Sequence, residues 1–455
     1  MTTLPSYNTQ DTIYALSSGA GKGGVAVIRV SGKKVLAVVH CLTQLENPKP
    51  RYAYFTEIKS DGIVLDKPLM IYFKGPHSFT GEDVVEFHVH GGRGVINAVM
   101  RAIGKIDGCR PAEPGEYSRR AVIAGKMDLT KAEGLMDLID AETELQRAQA
   151  LSQMDGKLSD LYEGWRADLK HHMAYLEAFI DFPEEEIPQE NLDKIDLKIN
   201  ELICKIKVYL DDNKIGQRLR EGFLIAIVGV PNVGKSSLIN ALTKRDVAIV
   251  SQSAGTTRDV VEAHLDVAGF PVILADTAGL REGVEEIESE GIRRAVKKAS
   301  DADLILHVLD AKDYPHVDKL PDELTDKRVL TLWNKTDALP DNERTNLEFT
   351  PSLRTDKCFA ISAKTGVGIN VLWDEIKSIL SDSVVGIQNG AITRERYRTS
   401  LKECVKALES SLHAPELELK AEDLRMANRA LGRITGVIDA DELLDVIFRD
   451  FCIGK

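Results

Sequence analysis

At Phe223 an apolar run, FLIAIV, passes without a break into GVPNVGKSS and then into LINAL. A strand, a glycine-rich turn and a helix start in that order commit the turn to wrapping an anion. Glycines let backbone N–H groups curl around phosphate oxygens, and the helix N-terminus adds its dipole. Lys235 supplies a cation for the β- and γ-phosphates, the Ser236 hydroxyl can bind Mg²⁺, and Asn232, Val233, Gly234 and Ser237 complete the cradle. The surrounding block, about 222 to 380, alternates FLIAIVGV, FPVILADTAG, ADLILHVLDA, RVLTLWNKTD and KCFAISAKTG with helical segments. Strands alternating with helices imply a mostly parallel, doubly wound sheet covered on both faces.

The partners of such a loop follow in order. DTAG ends a strand, which puts Asp276 near the metal and the Gly279 N–H near the γ-phosphate, with Thr277 and Ala278 between them. NKTD, carrying Asn334, Lys335 and Asp337, follows the strand VLTLW. The Asp337 carboxylate can accept from the two N–H groups on guanine's N1 and N2 edge, a match adenine cannot make. SAK, carrying Ser362, Ala363 and Lys364, would close over the base. The nucleotide is therefore expected to be GTP. Between the P-loop and DTAG lies a switch loop of Ser251, Gln252, Ser253, Ala254, Gly255, Thr256 and Thr257. Thr257 is the candidate to complete the Mg²⁺ shell while the γ-phosphate is present, and loss of that phosphate would release the loop. Leu280 stands where Ras-like enzymes carry a water-orienting glutamine, so the catalytic polar group must come from elsewhere. LREGVEEIESEG offers Arg281 and several glutamates including Glu288, most of which read as solvated faces. Asn232, with loop carbonyls, can hold a K⁺ that neutralises charge developing beside the phosphates.

A chain of 455 residues implies two to four domains, and 43% hydrophobic with 28% charged residues is ordinary globular composition. No apolar run approaches the roughly 18 residues that cross a bilayer. No basic residue precedes Lys22, so neither a secretory leader nor an Arg-rich transit peptide is expected. Six scattered cysteines without a CxxC pair suit reduced thiols in a cytoplasm. A net charge of −13 argues against a surface coated for nucleic acid but leaves room for a local basic patch.

Residues 1–122 mix strand-like runs (GGVAVIRVSG, LMIYFKGP, VVEFHVHGG) with turn residues and read as an α+β domain. From Leu151 to Ile180 apolar residues recur every three or four positions, which predicts one long helix. Pro183 and Pro188 break it, helix resumes from Asn191 to Arg220, and the chain is helical again after about 382, interrupted at Pro415. Residues 123–221 and 381–455 thus read as two parts of one all-α domain, with 222–380 inserted between them.

Three smaller features stay open on the residues alone. Strand alternation puts Glu86, His88 and His90 on one face, but about 7 Å between successive members is awkward for one metal ion. Arg425, Arg429 and Arg433 share one side of a helix and either meet phosphates or pair with Glu422 and other carboxylates. FCIGK places Cys452 as a prenylation box would, but Lys455 is not a usual terminal residue of one, and a chemical role is the favoured reading.

Taken together, GVPNVGKSS, AGTTRD, DTAGLRE, GGVAVIRVSG, SFTGEDVVEFHVHGG, GKMDLTKAE and FCIGK resemble the MnmE (TrmE) family of bacterial tRNA-modification GTPases, in the same order along the whole chain. The resemblance implies an N-terminal domain that binds tetrahydrofolate and dimerises, an all-α domain, and an inserted P-loop GTPase domain. It implies K⁺-stimulated hydrolysis with G domains meeting across a homodimer. Asn232, the carbonyls of Ser251 and Ser253, and the Thr256 side chain would bind K⁺, Glu288 would orient water, and Arg281 would support turnover. Ser251 departs from relatives that carry threonine, but only its carbonyl is needed. Arg29, Glu86, Lys126 and Lys455 match positions that bind a 5-formyl- or 5,10-methylene-tetrahydrofolate. The cations suit glutamate-tail carboxylates and Glu86 suits the pterin N–H edge. The implied reaction adds an aminomethyl or carboxymethylaminomethyl group at C5 of the wobble uridine of certain tRNAs, with Cys452 a possible nucleophile toward C6. The implied partner is the FAD- and NADH-using protein MnmG (GidA), and this chain has no dinucleotide fingerprint of its own. The rival expectation is a regulatory GTPase switch in ribosome assembly without group-transfer chemistry. A degenerate nucleotide scaffold is opposed by intact Lys235, Ser236, Thr257 and Asp337.

Overall fold

The computed structural model describes residues 11–19, 21–181, 189–212, 214–244, 262–276, 296–324, 326–340, 357–382 and 391–438, together with 444, 447, 448, 451, 453 and 454. It forms two compact units, Met1–Met136 with Met154–Ile187 and Ser410–Lys455, and Asp137–Gln153 with Pro188–Glu409.

In the first unit, strands β1 (Thr12–Leu16), β2 (Gly23–Ser31), β3 (Ala53–Phe55), β6 (Leu69–Phe73), β7 (Val84–Gly91) and β8 (Cys109–Pro111) form one sheet in the order β3-β6-β7-β2-β1-β8. A small hairpin, β4 (Ile58–Ser60) with β5 (Ile63–Asp66), stands beside that sequence. Period-two alternation decides which face is core. Ala26, Ile28 and Val30 of β2 and Val85, Phe87 and Val89 of β7 are buried in one cluster. Helices α1 (Val35–Thr43) and α2 (Arg93–Gly104) cover that face with Val35, Val38, Val39, Val99 and Ile103. On the other face Ile13 and Ala15 pack with Tyr117 of α3 (Glu116–Ile123). Arg29 and Glu86 face away from the larger cluster as register partners.

Helices α4 (Leu129–Asp140), α5 (Glu144–Met154) and α6 (Lys157–Asp181) follow. The long helix predicted from Leu151 is thus two helices. Gly156 takes φ +96°, and a Cβ there would lie 2.7 Å from Lys131 Cε, so the chain turns at that glycine. Beyond the turn the apolar stripe holds, with Leu158, Trp165, Leu169 and Leu176 buried. Asp128, from the GKMDLTKAE stretch, starts α4 by accepting from the Lys131 N–H (3.0 Å) and binds the Ser159 hydroxyl of α6 (2.6 Å).

In the second unit, α7 (Gln189–Leu210) and α8 (Ile215–Glu221) lead into a second sheet. Its strands are β9 (Phe223–Val228), β10 (Glu262–Val267), β11 (Phe270–Asp276), β12 (Leu304–Asp310), β13 (Val329–Asn334) and β14 (Lys357–Ala360), in the order β10-β11-β9-β12-β13-β14. Only β10 pairs antiparallel; the rest are parallel. Leu238 and Leu242 of α9 (Lys235–Thr243) and Leu372, Trp373 and Ile376 of α10 (Ile369–Asp382) cover one face. Ala299, Ala302 and Leu324 pack on the other, which completes the doubly wound arrangement. Beyond α10 come α11 (Glu395–His413) and α12 (Leu417–Thr435). Helices from before and after the central block meet: Lys207 of α7 pairs with Glu409 of α11 at 2.6 Å. Within the first unit, Thr435 of α12 donates to Glu163 of α6 at 2.8 Å.

Candidate functional site

The carboxyl ends of β9, β12 and β13 converge where strand order reverses about β9, the place where open α/β sheets take ligands. The P-loop leaves β9 there. Gly229 sits so close to β12 that a Cβ would come 2.3 Å from the Val308 carbonyl. Asn232 is left-handed at φ 64°, as a backbone that curls around an anion requires. The Lys235 ammonium donates to the Gly229 and Val230 carbonyls at 2.7 and 2.9 Å, which pre-positions the cation over the loop. The Ser236 hydroxyl donates to Asp276 Oδ2 at 3.2 Å. Two oxygen ligands brought together in this way fit a hard divalent cation such as Mg²⁺.

The residues expected to read the base are tied to the loop through Asn334, which is 2% exposed. Its Nδ2 donates to the Val233 carbonyl (2.8 Å) and its Oδ1 accepts from the Ala363 N–H (2.9 Å). One amide thus fixes the P-loop against the SAK turn. The Ser362 hydroxyl donates to Asp337 Oδ1 at 2.6 Å, setting the plane of the carboxylate that would read guanine. Thr336 reinforces the same junction by donating to the Ile361 carbonyl at 3.1 Å. Ser237 and Lys364 are exposed at the rim.

Asp310 was not singled out from the sequence. It ends β12, is the register partner of Asn334, and accepts from Lys335 Nζ at 2.8 Å and from the Lys312 N–H at 3.1 Å. Burial by itself would raise its carboxyl, but the bonds from Lys335 and the Lys312 N–H outweigh that and hold it below the usual range. The signal available was an acidic residue closing the apolar run LILHVL one strand away from NKTD.

In the first unit Arg29 and Glu86 form an ion pair at 2.9 Å between adjacent strands. The Arg29 guanidinium lies 5.6 Å over the Phe79 ring, and the Tyr117 hydroxyl donates to the Arg29 carbonyl at 2.8 Å. Burial pushes the Tyr117 phenol well up, so it stays a donor. His88 Nε2 stands 3.4 Å from Glu86, whereas His90 turns to Asp66 at 2.7 Å. Among the described residues no group of three His, Cys, Asp or Glu is placed to hold a metal ion. The exposed Lys126 runs its stem over Gly81, two residues past Phe79. Near the end of the chain Phe448 and Phe451 pack with Leu129 and Ala132, Ile453 bridges Pro114, and the Ser17 hydroxyl donates to the Gly454 carbonyl at 2.8 Å. Arg425 bonds Glu422 and Glu177, at 3.0 and 3.1 Å. Ser251 through Thr257, Thr277, Ala278, Gly279, Arg281, Glu288, Cys452 and Lys455 lie outside the described residues.

A P-loop between strand and helix, with a Ser–Asp oxygen pair beside it on a doubly wound sheet, places this enzyme among the P-loop GTPases. A family model described as the MnmE helical domain matches residues 129–452, and one described as the GTP-binding protein TrmE N-terminus matches residues 12–126. A tRNA modification GTPase MnmE from Paramagnetospirillum magneticum is 48% identical over 446 residues, covering 98% of this chain and 100% of that protein. One from Parvibaculum lavamentivorans is 48% identical over 459 residues with the same coverage. The chain belongs to the MnmE family. Among solved structures, Era from Aquifex aeolicus matches at 25% identity with a TM-score of 0.27, covering 42% of this chain and 68% of that one. Among the described residues no helix is long and apolar enough to cross a membrane.

Proposed function

We propose that this GTPase works in the cytoplasm, as a homodimer with a flavoprotein partner of the MnmG kind, to modify tRNA. The modification is an aminomethyl or carboxymethylaminomethyl group at C5 of the wobble uridine. The tRNA part of the reading is supported by relatives that share about half of their residues across the full chain and are named tRNA modification GTPases. The division of labour follows the sequence blocks 1–122 for folate binding and dimerisation, 222–380 for GTP, and 123–221 with 381–455 as the helical connection.

The observation that carries the chemical part is the meeting of the C-terminal tail with the first sheet. Gly454 is bonded to Ser17, directly after β1, whose Ala15 is the register partner of Arg29. A reduced folate fits the donor set there. Glu86 offers acceptors to the pterin edge, Arg29 stands paired with it at that same end over the Phe79 ring, and Lys126 offers a cation to a glutamate-tail carboxylate. Lys455 would add a further cation. When bound, the folate supplies the carbon unit. Cys452 would act as the nucleophile toward uracil C6, which activates C5.

In the GTP site Ser236 and Thr257 would hold Mg²⁺. Asn232, the carbonyls of Ser251 and Ser253, and Thr256 would hold K⁺, where it offsets charge developing on the phosphates. Glu288 would orient the attacking water, with Arg281 supporting turnover.

The decisive experiment is mass spectrometry of wobble nucleosides in a strain lacking this chain, complemented with the wild type or with Cys452→Ser. The expected result is loss of the C5 groups, restored by the wild type only. Unchanged C5 groups in the deletion strain would overturn the modifier and leave a GTPase switch acting in ribosome assembly. For the monovalent cation, GTP turnover in K⁺ and Na⁺ at matched ionic strength is compared; equal rates would remove it.

A further inference from the structure

Lys335 has a long, flexible side chain at a left-handed backbone position, φ 66°, beside the base-reading Asp337. Left to solvent, such a side chain samples many rotamers, and ordering it costs conformational entropy. Here it is not left to solvent. Its ammonium is bound 2.8 Å from Asp310 Oδ2, on the neighbouring strand β12. Asp310 is itself fixed, because its other oxygen accepts the Lys312 N–H and caps the turn Ala311–Asp313. Asp310 and Asn334 are opposed in register, so the tethered stem runs from the end of β13 to the end of β12. The P-loop strand β9 lies on the other side of β12. The lysine stem thereby joins the carboxyl ends of β13 and β12 and stays 37% exposed. Exposed ion pairs are worth little, but the Asp310 side chain is only 18% exposed and is anchored by a second bond.

We propose that Asp310 is a positioning residue for guanine nucleotides, acting by holding Lys335 pre-ordered across the base site. This rests on the GTP site alone and is independent of the folate, K⁺ and tRNA readings. A purely structural role makes a different prediction, because an asparagine at 310 can still accept the Lys312 N–H and keep the turn capped.

The test uses the full chain, titrated with fluorescently labelled GDP, and compares wild type, Asp310→Asn, Asp310→Ala, Lys335→Met and the Asp310→Asn/Lys335→Met double variant. Losing a charge-assisted tether should weaken GDP by roughly five- to twenty-fold in both Asp310 variants. The KM for GTP should rise in step while kcat changes far less, since the base is held alike in ground and transition states. The double variant should bind GDP no more weakly than Lys335→Met, because both changes cut one tether. Wild-type GDP affinity in Asp310→Asn overturns the proposal, whether or not Asp310→Ala is impaired. Losses that multiply in the double variant overturn it too. Far-UV circular dichroism establishes that each variant is folded.

Discussion

Gly234 shows how much of a nucleotide site can hang on the absence of one carbon. Its φ is +97°, and a Cβ would come 2.4 Å from Asn334 Nδ2, the atom that ties the P-loop to the SAK turn. Gly234→Ala must both strain the backbone and push Asn334 out of its bonds to Val233 and Ala363. A left-handed non-glycine position costs about 1–3 kcal/mol before the lost bonds are counted. GDP affinity should therefore fall at least about ten-fold in a nucleotide titration, with the fold intact by circular dichroism. The same reasoning separates Lys235 from Lys335. Lys235 is held by loop carbonyls that a phosphate can compete with, whereas Lys335 is held by a carboxylate to one side of the phosphate path.

Strands β12 and β13 lie in the middle of their sheet and carry an unusual pair. His307 and Thr331 are register partners, 2% and 1% exposed, and neither His307 Nδ1 nor Thr331 Oγ1 has a hydrogen-bond partner. Burial holds the imidazole below its ordinary value of 6.5, with Asp318 pulling weakly the other way. The unfolded chain therefore binds the proton more readily than the folded one. The contribution to stability is full above about pH 6.5 and declines as pH falls below it toward the folded value. His307→Leu removes the titration and roughly conserves volume. Thermal melts of wild type and variant at about pH 7.5 and about pH 5.5 should show a smaller acid loss in the variant. An equal loss in both would count against this assignment.

Both compact units are assembled from segments distant in sequence, so neither can be excised as one continuous piece. In the second unit Arg220 immediately precedes the central block and Arg394 follows it in the chain. Asp137 Oδ1 accepts from both, at 3.1 and 2.8 Å, while Gln146 Nε2 donates to the Arg220 carbonyl at 3.1 Å. The Asp137 side chain is 13% exposed, so Asp137→Ala removes the carboxylate that joins the two arginines; Arg220 keeps Glu221 at 3.0 Å, and the loss falls mainly on Arg394, which is 11% exposed. Breaking a pair of this kind should cost roughly 2–4 kcal/mol. The expected readout is a lower urea midpoint for the fluorescence of Trp333 and Trp373, which both belong to this unit, with faster proteolytic cleavage around 391–394.

The sequence alone determined whatever depends on neighbours a few residues apart. The P-loop, Asp276, NKTD and SAK could be picked out because phosphate and guanine demand fixed residue types at fixed local spacing after a strand. The face of β7 was legible because strand side chains alternate. Five of the six strands of the second sheet announced themselves as apolar runs. Periodicity misled at Gly156, since an apolar stripe keeps its rhythm across a break made by a single left-handed glycine. Tertiary structure alone decided the pairing of Arg29 with Glu86, the landing of Gly454 on Ser17, the Asp137 clamp and the Asp310 tether. Each joins residues whose separation along the chain carries no period, and their meeting is fixed by strand order and packing.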